Sequence, residues 1–278
     1  MPRKLTRSQA SQNLAGLVSG FQAAQMVNTA RELNSLSKML QTATSFAQLR
    51  PQLKRLLQQF ERDWRAPERD YKLYMALRRC TNFYLQRKAK QYAFTRYVGT
   101  FERHLEARRK AEDTIRKMIE FARASSTEEE KVIWMSLVYV LAVEGVFDQS
   151  VRMLYVLVNY AETRTLVILR RTHDQTLWDI KRNLERLLGN RRTKPIFEGW
   201  QNHLRNSIAH ANFSFDSSQS KMVFRDFVPG TGIRSWGPRC LSLQELTDDY
   251  YQKLENVSSY LTFLLWIMIA RDTISRTL

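Results

Sequence analysis

The chain has 278 residues, of which 44% are hydrophobic, a globular composition that excludes a largely disordered protein. Glycine and proline are scarce, with nine and six residues, and this favours long helices over a turn-rich β sandwich or barrel. The two cysteines, Cys80 and Cys240, are far apart in sequence. They exclude a disulfide framework, leave a single disulfide open, and favour a reduced, cytoplasmic location.

The formal net charge of +17 is concentrated in the first half of the chain. Residues 1–125 carry 25 of the 44 Lys and Arg residues but only 10 of the 27 Asp and Glu residues, which gives them +15 and leaves residues 126–278 with +2. A concentrated positive charge displaces counterions from a polyanion and therefore indicates nucleic acid as the partner. An anionic membrane surface is the alternative that charge alone leaves open.

The apolar runs predict buried helices rather than membrane spans. Val132–Val143 and Leu261–Ala270 are the most apolar segments, and about 10–12 residues are too few to cross about 30 Å of hydrocarbon. The N-terminal segment also lacks the unbroken apolar core of a signal peptide. We therefore expect no membrane-spanning segment, and no membrane partner if nucleic acid is the partner.

The first half of the chain has a helical pattern. Apolar residues recur at spacings of three and four within residues 8–59. Pro51 and Pro67 are expected to begin new helices, because proline fits the first helical turn. Residues 68–123 are predicted to form a long helical segment, in which Arg108-Arg109-Lys110 would be a solvated face.

Between Trp64 and Tyr97, cations alternate with aromatic residues. A groove for single-stranded RNA needs both, because bases stack on rings while cations follow the phosphates. The alternative is that the rings face a helical core and the cations are merely solvated. On the first interpretation, the predicted RNA-binding residues are Arg65, Arg69, Lys72, Arg78, Arg79, Arg87, Lys88 and Lys90.

A domain boundary is predicted close to residue 125. Ser126 or Thr127 can cap a new helix, and three glutamates follow in its first turn, where the helix dipole favours negative charge. This divides the chain into a basic, all-helical region, 1–125, and a second domain, 126–278. In the second domain helices are predicted over residues 127–143, 176–188, 195–211 and 242–269. Glu144-Gly145 either breaks the first helix or joins it to a further helix through Val158.

The residues after His210 change from helical to alternating periodicity. Phe213–Asp216 and Lys221–Phe227 each alternate apolar with polar residues, and four residues separate them. This pattern predicts one β-hairpin. The glycine-rich segment 229–238 is expected to be a loop, and Ser242 with Glu245 is expected to form a capping box at the start of the last helix.

The helix before the hairpin carries residues suited to cutting RNA. On a helical wheel His203, Asn206 and His210 share one face, whereas Arg205 lies on the opposite flank of the apolar stripe. Cleavage through the 2′-OH needs proton transfer, which His210 can provide, and a cation on the phosphate, which Arg205 can provide. Asn206 can donate to the phosphate or orient the imidazole. We interpret His203 as a surface or supporting residue more readily than as a second catalyst.

The segment Arg205-Asn206-Ser207-Ile208-Ala209-His210 with the hairpin after it resembles the HEPN superfamily (higher eukaryotes and prokaryotes nucleotide-binding domains). The motif of this superfamily is an arginine, usually followed by a polar residue, four to six places before a histidine near the end of a core helix. The resemblance is to the toxin and abortive-infection branch and covers roughly residues 127–278.

The HEPN resemblance implies a helical bundle with one β-hairpin, a homodimer that brings two motifs together, and metal-independent endoribonuclease activity. It assigns catalysis to Arg205, Asn206 and His210 and compares Glu144 with an acidic residue that faces the motif in relatives; a plain helix-end carboxylate is the alternative for Glu144. It also implies antiviral defence and an antitoxin or other defence-system partner. Such a dimer would place Arg205 and His210 together despite their different flanks.

No metal or other cofactor is expected, because no acidic or cysteine ligand accompanies His203 and His210 in register. Two other functions remain open at this point. One is a HEPN-like module that binds RNA or supports assembly without catalysis. The other is a helical adaptor for a membrane surface or a protein partner.

Overall fold

The computed structural model describes residues 4–64, 91–163, 172, 174–228 and 231–278. The described part is mainly helical with one small antiparallel sheet, so the predicted mainly α fold with a β-hairpin is confirmed. The helices of eight or more residues are α1 (Arg7–Ala23), α2 (Val27–Thr42), α3 (Phe46–Trp64), α4 (Gln91–Ala124), α5 (Glu128–Leu141), α6 (Asp148–Thr163), α7 (Leu177–Leu188), α8 (Asn202–Ala209) and α9 (Gln252–Thr277). The strands are β1 (Phe213–Asp216), β2 (Lys221–Phe227) and β3 (Arg234–Leu241).

The chain forms two compact units. The first consists of Met1–Glu102 with Ser259–Leu278, and the second of Arg103–Ser258. The boundary near residue 125 was inferred from charge and capping residues, and the two-domain division based on it stays a prediction. All residues of the candidate site described below belong to the second unit.

The first unit buries an aromatic core between α1, α3 and the later part of α9. Phe21 packs edge-on against Trp266, and Trp64 packs against Tyr260, with ring centroids 5.2 and 5.1 Å apart. Burial of such rings is the main stabilising contribution in a core of this kind. The predicted RNA-binding residues, from Arg65 to Lys90, lie outside the described residues, as does the helix start predicted at Pro67.

The prediction that a helix begins at Pro51 is wrong, because α3 begins at Phe46 and contains this proline. The amide oxygen of Gln48 accepts hydrogen bonds from the backbone N–H groups of Thr44 and Ser45, at 2.7 and 3.4 Å. These bonds hold the chain just before Phe46, so the helix is started upstream. Proline in its second turn forfeits one backbone hydrogen bond.

In the second unit, α5 and α6 are continuous through a π-helical turn, Ala142–Phe147. Thr127 caps α5 by accepting a hydrogen bond from the N–H of Glu130, as the sequence predicted. Gly145 therefore joins two helices rather than breaking one. A Cβ atom on it would lie 2.7 Å from Cβ of Ala111 in α4, so glycine permits the close packing of these helices at the π-helical turn.

The prediction that Arg108 belongs to a solvated face is also wrong, since only 3% of this residue is exposed. Its guanidinium donates to Oε1 of Glu112 and to the carbonyl oxygen of Ser258, both at 2.6 Å. A buried guanidinium needs such partners, because an unpaired one would be costly to desolvate. Arg109 and Lys110 are exposed, as expected.

The sheet has the order β1-β2-β3 and contains one strand more than predicted. The predicted hairpin is present, with Phe213 paired to Phe224 and Asp216 to Lys221. The segment expected to be a loop instead supplies most of β3, which pairs with β2 through Met222 and Leu241. Most residues of β3 are exposed, so this edge strand lacks the apolar alternation by which strands are recognised.

One helical stretch, Glu128–Val156, is long and apolar enough to cross a membrane by length and composition. Half of its most apolar 18-residue window is buried inside the fold. Core helices of soluble proteins pass the same test, so one such stretch is weak evidence for a membrane span.

Candidate active site

The motif helix α8 is shorter than predicted. Lys194–Phe197 forms a 3₁₀ turn, and α8 begins only at Asn202, so Phe197 and Trp200 do not share a helix with Arg205. The chain turns after Phe197 and passes very close to the start of α9. A Cβ atom on Gly199 would lie 2.7 Å from the backbone oxygen of Tyr250, which only glycine avoids.

Tyr139 of α5 holds the chain at the point where α8 begins. Its hydroxyl accepts a hydrogen bond from the N–H of Gln201 at 2.9 Å and donates one to the carbonyl oxygen of Gly199 at 3.2 Å. The side chain is fully buried, and this burial raises the pKa of the Tyr139 phenol far above its usual value. The hydroxyl therefore stays neutral and acts as a structural anchor for α8.

The other end of α8 closes in a Schellman motif around His210. The N–H of Asn212 donates to the carbonyl oxygen of Ser207 at 2.7 Å, and the N–H of Ala211 donates to that of Ile208 at 3.0 Å. Ala211 takes the left-handed position, with φ of 53°, that glycine usually occupies. His210 is thus fixed at the helix terminus immediately before the hairpin, and it is exposed.

Arg205 of α8 is paired with Glu144, which lies in the π-helical turn. Its Nε donates to Oε1 of Glu144 at 2.7 Å, and its second terminal nitrogen contacts the same oxygen. The two side chains are 35% and 48% exposed, so solvent screens the pair and its contribution to stability is small. The guanidinium remains accessible to an anion from solvent.

A chain of hydrogen bonds leads from Arg205 across α8 to the hairpin. The third nitrogen of Arg205 donates to Oδ1 of Asn206 at 3.0 Å, and Nδ2 of Asn206 donates to Oδ2 of Asp226 at 3.4 Å. The same oxygen of Asp226 lies 2.8 Å from Nδ1 of His203. The His203 ring also stacks on Trp236, nearly parallel, with centroids 5.8 Å apart.

Asp226 is the buried residue at the centre of these hydrogen bonds. Only 5% of the residue is exposed, and its other oxygen, Oδ1, accepts the N–H of Phe227 at 3.0 Å. Asn206 Nδ2 and the N–H of Phe227 both donate to it, and a buried carboxylate requires such donors. Its position on β2 is set by the hairpin, so the sheet serves to place this carboxylate under α8.

The structure brings together three of the four predicted catalytic residues. Arg205, Asn206 and Glu144 belong to one hydrogen-bonded set, whereas the His210 side chain makes no hydrogen bond or ion pair within the described residues. Arg205 and His210 are five residues apart, which separates them by about 140° around a helix. Within one chain, the motif therefore does not form a single contact cluster.

Two neighbouring hollows run along α8 and α7. The smaller hollow has a volume of about 500 Å³, and its lining includes Glu144 and Arg205. The larger hollow has a volume of about 710 Å³, and its lining includes His203. Both include Trp178 and Trp200. Trp178 is 51% exposed, and such a ring can stack a base.

The larger hollow has two lysines in its lining, one of which, Lys181, is ion-paired with Glu185 at 3.8 Å. Lys181 and Lys194 line the larger hollow, and Nζ of Lys181 lies 4.9 Å above the ring of Trp178. Two carboxylates line the smaller hollow. Asp148 accepts a hydrogen bond from Nε of Arg152 at 2.7 Å, and Glu144 is paired with Arg205. The acidic groups of the smaller hollow are thus each neutralised by an arginine.

Sequence reasoning missed Asp226, Trp236 and the supporting residue Tyr139. Asp226 and Trp236 come from the sheet, more than twenty residues after His203, and no local pattern identifies their contact. The sequence pattern that bears on this contact is that His203 and Asn206 lie on one helical face, because two such polar side chains can share one hydrogen-bond partner. Among the described residues, no group of three or more His, Cys, Asp or Glu side chains is arranged to hold a metal ion.

Comparison of the chain with family models, with curated proteins and with solved structures finds no match. The resemblance of Arg205-Asn206-Ser207-Ile208-Ala209-His210 to the HEPN motif therefore stays a prediction, and the function is argued from the site itself.

Proposed function

We propose that the chain is a metal-independent endoribonuclease that cuts RNA by attack of its own 2′-OH, leaving a 2′,3′-cyclic phosphate. Arg205 holds the scissile phosphate, Asn206 assists it, and His210 takes part in proton transfer. Glu144 orients the guanidinium of Arg205. The basic residues between Arg65 and Lys90 recruit the strand.

The observation that carries this proposal is the geometry of Arg205. Glu144 and Asn206 fix its guanidinium from two sides, at 2.7 and 3.0 Å, yet about a third of the side chain stays exposed beside a hollow. A fixed, accessible guanidinium is suited to bind phosphate oxygens bidentately. The exposed Trp178 at the same hollow supports a single-stranded substrate.

The separation of Arg205 from His210 supports a homodimer of the second domain. The two side chains lie on different flanks of α8, so one protomer cannot easily apply both to one phosphate. A two-fold axis places the same surface of each protomer face to face, which would bring His210 of the partner subunit to Arg205. Light scattering on the purified protein should give twice the 32.8 kDa mass of the chain.

The first test is cleavage of end-labelled single-stranded RNA in the presence of EDTA. The wild type should cut, while His210→Ala and Arg205→Ala should each lose about 100-fold or more of the rate. Arg116→Ala is the matched control, because it removes one positive charge from an exposed position of α4. It should cut at nearly the wild-type rate, and equal losses in all three variants would contradict the proposal.

A role in antiviral defence, with an antitoxin or other partner, rests on the family resemblance alone. If it holds, expression of the wild type should arrest bacterial growth, and expression of His210→Ala should not. Growth arrest by both would separate toxicity from RNA cleavage.

A non-catalytic RNA-binding or assembly module is the second candidate. The observation that favours it is that Arg205, Asn206 and Asp226 already satisfy one another in the unbound chain. It predicts salt-sensitive RNA binding, no cleavage by the wild type, and binding that is unchanged in His210→Ala.

A further inference from the structure

We propose that His203 is the general base of the cleavage reaction and that Asp226 positions it; this rests on the proposed ribonuclease function. One histidine cannot both remove the 2′-OH proton and protonate the leaving oxygen within one catalytic step. In the arrangement proposed here, His210 of the partner subunit is the acid. His203 lies on the same helical face as His210, so the two-fold axis that brings His210 of the partner subunit to Arg205 also brings the partner subunit's His203, which is then the proton acceptor.

The hydrogen-bond pattern determines which nitrogen of His203 is available. Asp226 receives donors from Asn206 and from the N–H of Phe227, so it serves as an acceptor, and Nδ1 of His203 is then the donor in their 2.8 Å contact. The hydrogen on Nδ1 leaves the lone pair on Nε2. A buried carboxylate that fixes one ring nitrogen while the other meets substrate is the arrangement used by the aspartate and histidine of serine proteases.

The position of the ring is suited to a substrate in the hollows. The side chain of His203 is 44% exposed, although Trp236 covers one face and Asp226 holds one edge. It lines the larger hollow, while Arg205 lines the neighbouring one, and Asn202 lies in both. His210 lines neither of these two hollows. The His203 imidazole is therefore open to a strand, and in the proposed dimer Arg205 of the other protomer holds the phosphate of that strand.

The chemical step balances without any further reactant. Nε2 of the partner subunit's His203 takes the proton of the 2′-OH, and the 2′-oxygen forms a bond to phosphorus. The bond from phosphorus to the 5′-oxygen breaks, and this oxygen takes a proton from His210 of the partner subunit. Arg205 meets the charge on the phosphate oxygens, and the products are a 2′,3′-cyclic phosphate and a 5′-OH.

The two histidine roles can be separated with a modified substrate. In a short single-stranded RNA with sulfur in place of one 5′-bridging oxygen, the leaving thiolate needs no proton. Loss of a general base should slow this substrate as much as ordinary RNA. Loss of a general acid should slow ordinary RNA only.

His203→Gln should therefore lose about 100-fold or more of the rate on both substrates. His210→Gln should lose a similar factor on ordinary RNA and cut the sulfur-containing RNA at close to the wild-type rate. Gln219→Ala, at an exposed position in the hairpin loop, is the control and should match the wild type on both.

Three results would overturn the inference: ordinary RNA cut by His203→Gln at nearly the wild-type rate, recovery of His203→Gln on the sulfur-containing RNA, or no recovery of His210→Gln. In each of these the wild type is active, so the proposed nuclease function survives. If the wild type cuts neither substrate, both the proposed nuclease function and the proposed role of His203 are wrong.

Asp226→Asn tests the positioning role independently of the His203 variant. The substitution keeps the size of the side chain and an acceptor for the N–H of Phe227. We expect an equal loss of rate on both substrates, of about tenfold or more, with unchanged affinity for an uncleavable 2′-deoxy strand. Wild-type rates, or weakened binding with an unchanged rate at saturation, would show that Asp226 only supports the fold.

Discussion

Replacing Tyr139 with phenylalanine removes the hydroxyl that holds the start of α8 and should lower the free energy of unfolding. The substitution leaves the N–H of Gln201 and the carbonyl oxygen of Gly199 without their partner at 2.9 and 3.2 Å. Gly199 is buried whereas Gln201 is exposed, so water can replace the hydroxyl at Gln201 only. One buried, unsatisfied carbonyl and one weakened bond together should lower the free energy of unfolding by about 2 kcal/mol.

Tyr250→Phe is the matched control for this prediction. Tyr250 packs edge-on against Tyr139, with centroids 6.1 Å apart, and it is also buried, but its hydroxyl makes no hydrogen bond within the described part of the chain. Its loss should change the free energy of unfolding by less than about 0.5 kcal/mol. Urea unfolding followed by circular dichroism measures both variants.

The same substitution should reduce function, because Tyr139 fixes the end of α8 nearest to His203 and Arg205. A displacement of catalytic groups by a fraction of an ångström should lower the cleavage rate by about tenfold or more. If Tyr139→Phe unfolds at the same urea concentration as Tyr250→Phe, the hydroxyl does not anchor α8 and the argument for a preset site fails.

Three further substitutions test the ends of the motif helix and the adjacent hollow. Ala211→Gly removes a left-handed alanine with φ of 53° and should stabilise the chain by about 0.5–1 kcal/mol in urea unfolding; a destabilised variant would contradict the cap. Gly199→Ala places a Cβ atom 2.7 Å from the backbone oxygen of Tyr250 and should cost about 1–3 kcal/mol in the same assay, so an unchanged midpoint would refute the close approach. Trp178→Ala in the His210→Ala background should weaken single-stranded RNA binding by about 1–3 kcal/mol in fluorescence anisotropy, and unchanged affinity would show that no base stacks there.

The elements that the sequence could predict are those with a regular period or a cap of their own. The hairpin was predictable because Phe213–Asp216 and Lys221–Phe227 alternate with the period of a strand. The helix after Thr127 and the capping box of Ser242 followed from local hydrogen-bonding rules. The edge strand β3 was missed because its exposed residues gave no alternation.

Contacts between distant residues set the limit for the candidate site. The pattern of Arg205, Asn206 and His210 could be recognised in one short segment, but their partners could not. Asp226 is one of 27 acidic residues in the chain, and only the register of β2 under α8 selects it. Similarly, nothing local distinguishes the buried Arg108 from its solvated neighbours Arg109 and Lys110.

The most direct test of the central claim is cleavage of an RNA that carries a single 2′-deoxy nucleotide at the position where the wild type cuts. If the 2′-oxygen is the nucleophile and Arg205 and His210 serve its attack, the unmodified strand yields a 2′,3′-cyclic phosphate and the substituted strand stays intact at that position. Cleavage of the substituted strand at the same bond, or a 3′-OH end on the product of the unmodified strand, would contradict the account.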